Sequence, residues 1–341
     1  MQTNLATVVQ NEPVFRARRG FAGGHKQTLA SFFLSRRITL PKPDSRLVEV
    51  APGIPVLCHC YWQEPRHQRM TLLIVHGLEG SADSGYVLGT AQKALSAGMN
   101  VVAMNQRNCG GTDALAPTLY NSGLSGDVAA VARSVIQRDR VSQMALVGFS
   151  MGGNLVLKAA GEWGSQGPVE LKAVVAVCPS LDLAASADAL HAPSNWLYET
   201  YFMWALRRRL RAKAKLFPND FDVQRLRGVT TLRQFDDRVT SYYCGYDGAV
   251  DYYARASAAN TVDRIAVPTL VIHAANDPFV MIVPETMKKM RANPMIRYLE
   301  TEDGGHCAFV GERNGDGDDG RWAETRAVEF VKTIQSTPQL S

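Results

Sequence analysis

The stretch 144–154, MALVGFSMGGN, constrains this chain more than any other. Met144, Ala145, Leu146 and Val147 are apolar without a break, as a short strand buried on both faces demands. After Ser150 the apolar positions become Leu155, Val156 and Ala159, a helical spacing. Between the two lies Gly148-Phe149-Ser150-Met151-Gly152, a G-x-S-x-G string. In a sharp strand-to-helix turn this pattern holds the serine in strained backbone with its hydroxyl exposed. Gly148 and Gly152 fit such a turn because a side chain at either would meet the crossing chain. The helix that follows offers free N–H groups and a positive dipole end to any negative charge developing nearby. The string alone is common, so its setting between strand and helix carries the argument. Ser150 is read as a nucleophile.

The rest of the chain repeats the strand-helix rhythm. Residues 47–50 and 56–62 alternate enough to pair at a sheet edge, and 71–75 and 100–104 read as buried strands. Helical patterns at 84–97 and 127–138 separate them from each other and from the elbow, and 171–178 is the next strand. This order predicts an α/β fold with a mostly parallel, doubly wound sheet. From about 181 to 263 the rhythm breaks. That span is rich in aromatic residues, Trp196, Tyr198, Phe202 and Trp204 early, Tyr242, Tyr252 and Tyr253 late. It is read as a helical cap inserted over the site. Strand 268–273, helix 285–291, strand 295–300 and helix 321–334 complete the pattern. The division is an amino-terminal arm of 1–45, polar and loose to about residue 19, and a catalytic domain of 46–341 carrying the cap.

Ester hydrolysis needs a nucleophile, a base for its proton and an acid to orient the base. Open α/β sheets set such groups beyond the carboxyl ends of strands. Asp277 follows the strand 268–273, and His306 follows 295–300. Ser150, Asp277, His306 is also the chain order in which a G-x-S-x-G nucleophile meets its partners. His59, His67, His76, His191 and His273 compete for the base, and Asp251 and Asp263 for the acid. His273 lies inside a strand and reads as a satisfied core residue; His25 reads as a surface or capping residue. The oxyanion hole is assigned to two backbone N–H groups, those of Leu78 in His76-Gly77-Leu78 and of Met151 after the nucleophile. Glu79 and Arg107 read as ion-pair residues rather than substrate clamps.

Composition narrows the class. The chain has 341 residues and a net charge of +5, and no nucleic-acid motif accompanies that small excess. No apolar leader and no run of eighteen apolar residues is seen, so a cytoplasmic protein is expected. Six cysteines, at 58, 60, 109, 178, 244 and 307, read as reduced thiols. Cys58 and Cys60 lack the second pair a zinc site needs. Residues 314–320 look like a calcium loop but lack its sixth-position glycine and twelfth-position glutamate, so an exposed acidic loop is preferred. No cofactor or metal is expected. The segment Arg207 to Lys215 is basic on one side, with Leu206, Leu210, Ala214 and Phe217 as an apolar stripe. A solvated cap helix is the plainer reading; a weak contact with an anionic membrane surface is the other.

Several longer strings add a resemblance. They are Gly24-His25-Lys26-Gln27-Thr28, His76-Gly77-Leu78-Glu79-Gly80, Arg107-Asn108-Cys109-Gly110-Gly111 and Gly148-Phe149-Ser150-Met151-Gly152-Gly153-Asn154. Phe235-Asp236-Asp237 with Tyr252-Tyr253, Asn276-Asp277-Pro278 and Gly304-Gly305-His306 complete the set. With these the sequence resembles the YheT-type branch of the α/β-hydrolases, inferred bacterial esterases related to yeast ethyl-ester synthases and animal abhydrolase-domain lipases. The resemblance implies an α/β-hydrolase fold, a charge relay of Ser150, Asp277 and His306, and carboxylic-ester hydrolysis without metal or organic cofactor. In some members it implies acyl transfer to an alcohol. One departure is the loop Asn108-Cys109-Gly110-Gly111, where many bacterial relatives carry an Arg-Gly-Cys-Ser-Gly-like string. The expected substrate is a small ester with a short to medium acyl chain. The alternatives are an alcohol acyltransferase and a non-catalytic binding protein on the same scaffold.

Overall fold

A computed structural model describes residues 14–34, 36–313, 315 and 317–336, except the side chains of 31 and 32. The apolar runs become the strands β1 (Asp44–Ala51), β2 (Ile54–Tyr61), β3 (Thr71–Val75), β4 (Asn100–Met104), β5 (Met144–Phe149), β6 (Leu171–Val177), β7 (Thr269–Ala274) and β8 (Ile296–Thr301). They form one sheet in the order β1-β2-β4-β3-β5-β6-β7-β8. β1 and β2 are antiparallel to their neighbours, and β3 to β8 run parallel. Every residue of β3, β4, β5 and β7 is buried, which is why their sequences do not alternate. β1 begins at Asp44, earlier than its alternation suggests, because ladder pairing extends to Asp44 opposite Cys60.

Helices cover both faces. α1 (Gly24–Phe33) belongs to the arm; α2 (Gly85–Ser96), α3 (Ser125–Asp139) and α4 (Met151–Trp163) follow β3, β4 and β5. The inserted segment holds α5 (Leu183–Leu190), α6 (Trp196–Leu216), several short turns and α7 (Ala249–Ala256), with no strand among the described residues. α8 (Pro284–Ala292) and α9 (Trp322–Ser336) close the chain. One core packs α3 and α4 on the sheet through Val131, Val135, Leu155 and Ala159; the other packs α2 and α9 through Val87, Ala91, Ala327 and Val331. Each such fully buried valine or leucine contributes roughly 2 kcal/mol of transfer free energy. The site stands on this two-sided core.

The arm differs from the sequence expectation. Residues 14–19 are not loose: Phe15 is buried edge-on against Phe309 and Trp322, with ring centroids 5.7 and 5.6 Å apart, and Ala17 bridges to Gly311. A single aromatic residue in a polar stretch is enough to anchor it. Residues 1–13 of the predicted loose stretch, and Asn314 and Asp316 of the acidic loop, lie outside the described residues. Asp319 of that loop is bound by Lys93 and Arg36.

Candidate active site

β5 delivers Ser150 with φ 54° and ψ −120°, a strained backbone, and α4 starts at the next residue. The turn is as crowded as the sequence implied. A Cβ on Gly148 would lie 2.2 Å from the Gly152 carbonyl oxygen, and one on Gly152 would lie 2.2 Å from that of Val75. Only glycine lets the turn close this tightly against β3 and α4.

The carboxyl ends of β7 and β8 bring in the partners. His306 Nε2 lies 2.9 Å from Ser150 Oγ, and His306 Nδ1 lies 2.8 Å from Asp277 Oδ2. The arrangement fits Nδ1–H donating to the carboxylate and Nε2 accepting from the serine hydroxyl. Asp277 Oδ1 accepts from the amides of Phe279 and Val280, at 3.1 and 3.0 Å, so both carboxylate oxygens are occupied. Burial alone would raise the Asp277 carboxyl; the His306 and His273 rings and the amide outweigh it and hold it below the usual aspartate value. For His306, burial opposes a charged ring, yet the facing carboxylate prevails and holds the imidazole above its ordinary 6.5.

Side chains that sequence reasoning did not single out fix the histidine loop. The His306 amide donates to Thr28 Oγ1 of α1 at 2.9 Å. Gln27 bonds both the amide and the carbonyl of Val310, at 2.8 and 3.0 Å. Asn276 Oδ1 accepts from the Gly305 amide at 3.1 Å, and a Cβ on Gly305 would lie 2.5 Å from the Gly24 carbonyl oxygen. The Gly-His-Lys-Gln-Thr string was visible in the sequence; its partner, some 280 residues away, was not. His25 reaches from the arm to the cap, 3.1 Å from the Tyr198 hydroxyl.

The proposed oxyanion donors flank the serine. Leu78 and Met151 both line the cavity that holds Ser150, and neither amide donates to another group among the described residues. His76 shapes this loop: it is fully buried, Nδ1 lies 2.8 Å from the Gly77 carbonyl oxygen, and Nε2 accepts from the Gln106 amide at 3.1 Å. Burial pushes its imidazole down to about 4, so it is neutral and structural. Tyr86 takes the Gly77 amide at 3.0 Å. Glu79, at φ 55°, is gripped by Arg209 of α6, Nε to Oε1 at 2.9 Å and Nη2 to Oε2 at 3.1 Å. Arg107 pairs with Asp127 at 2.6 Å. Both are ion-pair residues, as read from the sequence.

The competitors lie elsewhere. His59 contacts Ser45 on the sheet edge, His67 contacts Gln68, His191 pairs with Glu199 in the cap, and Asp251 pairs with Arg255 on the surface. Asp263 is exposed. His273 is buried behind Asp277 and its ring bonds Cys178, as a core residue's would; only its Nδ1 has no hydrogen-bond partner among the described residues. Cys178 lies within 4.8 Å of His273 and Asp277, and also of His306 and Cys307. A metal held there would take His306 or Asp277 out of the relay, so these donor sets fit the relay better than a metal centre.

The family pattern of the α/β-hydrolase fold matches residues 71–312, a span that includes Ser150, Asp277 and His306 and the inserted helical segment. This chain belongs to the α/β-hydrolase fold family. Over 323 residues it is 31% identical to the inferred esterase YheT of Escherichia coli strain K12, covering 91% of each protein. It is 28% identical to phospholipase ABHD3 of Mus musculus over 71% of this chain and 59% of that protein. Against medium-chain fatty acid ethyl ester synthase/esterase 2 of Saccharomyces cerevisiae it is 26% identical, over 76% of this chain and 61% of that protein. Among solved structures, the 2,6-dihydroxy-pseudo-oxynicotine hydrolase superposes with a TM-score of 0.58 at 15% identity, covering 92% of this chain and 72% of that one. The Pyrococcus furiosus esterase Pf2001 gives 0.56 at 15% identity, covering 87% and 98%. At that identity the likeness is one of fold.

The cap of this α/β-hydrolase roofs a cleft of about 940 Å³, counting the part open to solvent. Leu183, Leu190, Phe202, Leu206, Phe279 and Val280 form much of its wall. No helix among the described residues is long and apolar enough to cross a membrane.

Proposed function

We propose that the chain is a serine carboxylic-ester hydrolase working through an acyl-enzyme. Ser150 attacks the ester carbonyl while His306 Nε2 takes its proton, and Asp277 stabilises the imidazolium. The amides of Leu78 and Met151 receive the oxyanion, each such donor being worth ~3 kcal/mol of transition-state stabilisation. His306 returns the proton to the departing alcohol, then activates the water that frees the acid. The observation that carries this reading is the unbroken relay, 2.9 Å from Ser150 to His306 and 2.8 Å from His306 to Asp277. Esterase names among the relatives agree with it.

The apolar cleft suits a small ester with a short to medium acyl chain, and p-nitrophenyl esters of two to sixteen carbons would map its preference. A fluorophosphonate probe should label the protein, and Ser150→Ala should abolish labelling and lower kcat by about 10⁶-fold. Absence of labelling would favour a binding protein on this scaffold. Ester formation in added ethanol would instead mark an acyltransferase.

The cap supports a second element of this reading. Arg209 and Lys213 are spent inside the protein, on Glu79 and on Asn108. Leu197, Tyr201, Trp204, Arg208, Arg211 and Lys215, however, are exposed at three- and four-residue steps along α6. An apolar half followed by a basic half is the pattern of a face that rests weakly on anionic lipid. Cosedimentation with phosphatidylserine vesicles but not phosphatidylcholine vesicles is expected.

A further inference from the structure

Asp236 is a carboxyl group inside the substrate cavity that the reaction above does not use. It opens a π-helical turn, Asp236–Thr240, between the short helices Leu232–Phe235 and Ser241–Cys244. Single π turns inside helices recur at functional sites, because the extra residue redirects a side chain. Asp236 is 8% exposed and lines the same cleft as Ser150. Its Oδ1 accepts from Thr240 Oγ1 at 2.8 Å and its Oδ2 from the Tyr253 hydroxyl at 2.9 Å. A carboxylate accepts at about four lone-pair sites, so roughly half of its capacity is left over.

No cation pairs with Asp236 among the described residues. Arg233, one turn earlier, is paired with Asp188 at 2.7 Å and acts on Asp236 only as a charge at a distance, its guanidinium lying over the Tyr253 ring; Arg209 across the cleft is held by Glu79 at 2.9 Å. The walls nearby are Leu183, Leu232, Phe235 and Tyr252, with Asn121 and Ser122 as neutral polar neighbours. Burial pushes the carboxyl up to about 6, which leaves it mostly ionised at neutral pH. A buried carboxylate held by two hydroxyls but with no salt-bridge partner among the described residues is costly to build into a fold. A ligand that donates to it recovers that cost.

We infer that Asp236 is a recognition group, and that the cleft takes an ester bearing a hydrogen-bond donor, a hydroxyl or an ammonium, on the part of the molecule that lies under the cap. This rests on the ester-hydrolase reading and adds the polarity of the substrate to it. An uncharged alkyl ester still reaches Ser150, but leaves the carboxylate without a donor.

The test uses the whole enzyme and three isosteric esters whose chain ends in methyl, hydroxyl or ammonium, the group carried once on the acyl side and once on the alcohol side. In one of the two series, kcat/KM for the hydroxyl or ammonium ester should exceed that of the methyl ester by about tenfold or more. Asp236→Asn should lower kcat/KM for the ammonium or hydroxyl ester by about tenfold more than for the methyl ester, so that the donor preference is lost whatever happens to the shared rate. A hydroxyl-only or an ammonium-only preference identifies which donor the cleft takes. A purely structural Asp236 would change all three esters together.

Should Asp236→Asn fail to fold, the parent enzyme decides by pH. The groups around Asp236 are Thr240, Tyr252, Tyr253, Cys244 and Arg233, with Arg209 across the cleft. Loss of Ser150–His306 competence on acidification affects all three esters equally and cancels in their ratio. The ammonium-to-methyl ratio should therefore fall as pH drops through about 6, where Asp236 takes up a proton. Equal rates for the three esters, or a donor preference untouched by both Asp236→Asn and pH, overturn the inference while probe labelling and methyl-ester turnover leave the hydrolase reading standing. A protein that neither labels nor turns over any ester overturns both.

Discussion

Ser150 is held at φ 54°, where a residue with a side chain sits at a cost of about 1–3 kcal/mol. The turn persists because Gly148 and Gly152 let three chain segments meet. Gly152→Ala would drive a methyl group into the Val75 and His76 carbonyl oxygens, 2.2 and 2.5 Å from its Cβ. Overpacking against backbone should destabilise the fold by about 3 kcal/mol and nearly abolish turnover, readable by urea denaturation beside an esterase assay. Titration of His306 belongs to the same scale. Its imidazole stands above 6.5, and as the proposed base it must be neutral to act. Acidification therefore removes the active form sooner than an ordinary histidine would, and kcat/KM should fall with an apparent midpoint above 6.5. Asp277→Asn takes away the charge that raises the ring, so residual activity should show its midpoint moved to lower pH.

At the scale of elements, the cap and the loop after β3 that carries Leu78 are one unit through Arg209 and Glu79, whose side chains are 14% and 9% exposed. Removing one partner leaves the other charge buried and alone, so Arg209→Met should cost about 3 kcal/mol and slow kcat by loosening Leu78. Adding Glu79→Gln should return much of that stability, because no lone charge remains. A double-mutant cycle by chemical denaturation measures the coupling. The arm helix acts on the other side of the site. Thr28→Val takes the acceptor from the His306 amide, and a loop misplaced by a fraction of an ångström should lower kcat by about tenfold with KM little changed. Steady-state kinetics on one p-nitrophenyl ester separates the two constants.

Across the whole molecule, the amino-terminal arm and the last helix share a core at Phe15, Phe309 and Trp322. Phe15→Ala should cost about 3 kcal/mol in denaturation although the residue lies far from Ser150 in sequence. The α/β alternation, the mostly parallel sheet and the strand-turn-helix around Ser150 were legible in the sequence, as was the choice of Asp277 and His306 as candidate partners. Apolar period, glycine spacing and chain order are local or sequential properties, and each follows from what a buried strand or a crowded turn permits. The residues that support the relay were not legible in that way. Gln27, Thr28 and Asn276 stood in recognisable strings that did not show what they bond, and Arg209 had no such string: a hydrogen bond to His306, Val310, Gly305 or Glu79 exists only after the sheet has brought distant segments together. The same holds for His273, whose lone Nδ1 depends on what packs behind Asp277. The sequence by itself determined which chemistry the carboxyl edge of the sheet could host. Only the tertiary structure decided which distant side chains hold that chemistry in place, and how polar the cavity above it is, since both are set by contacts between residues far apart along the chain.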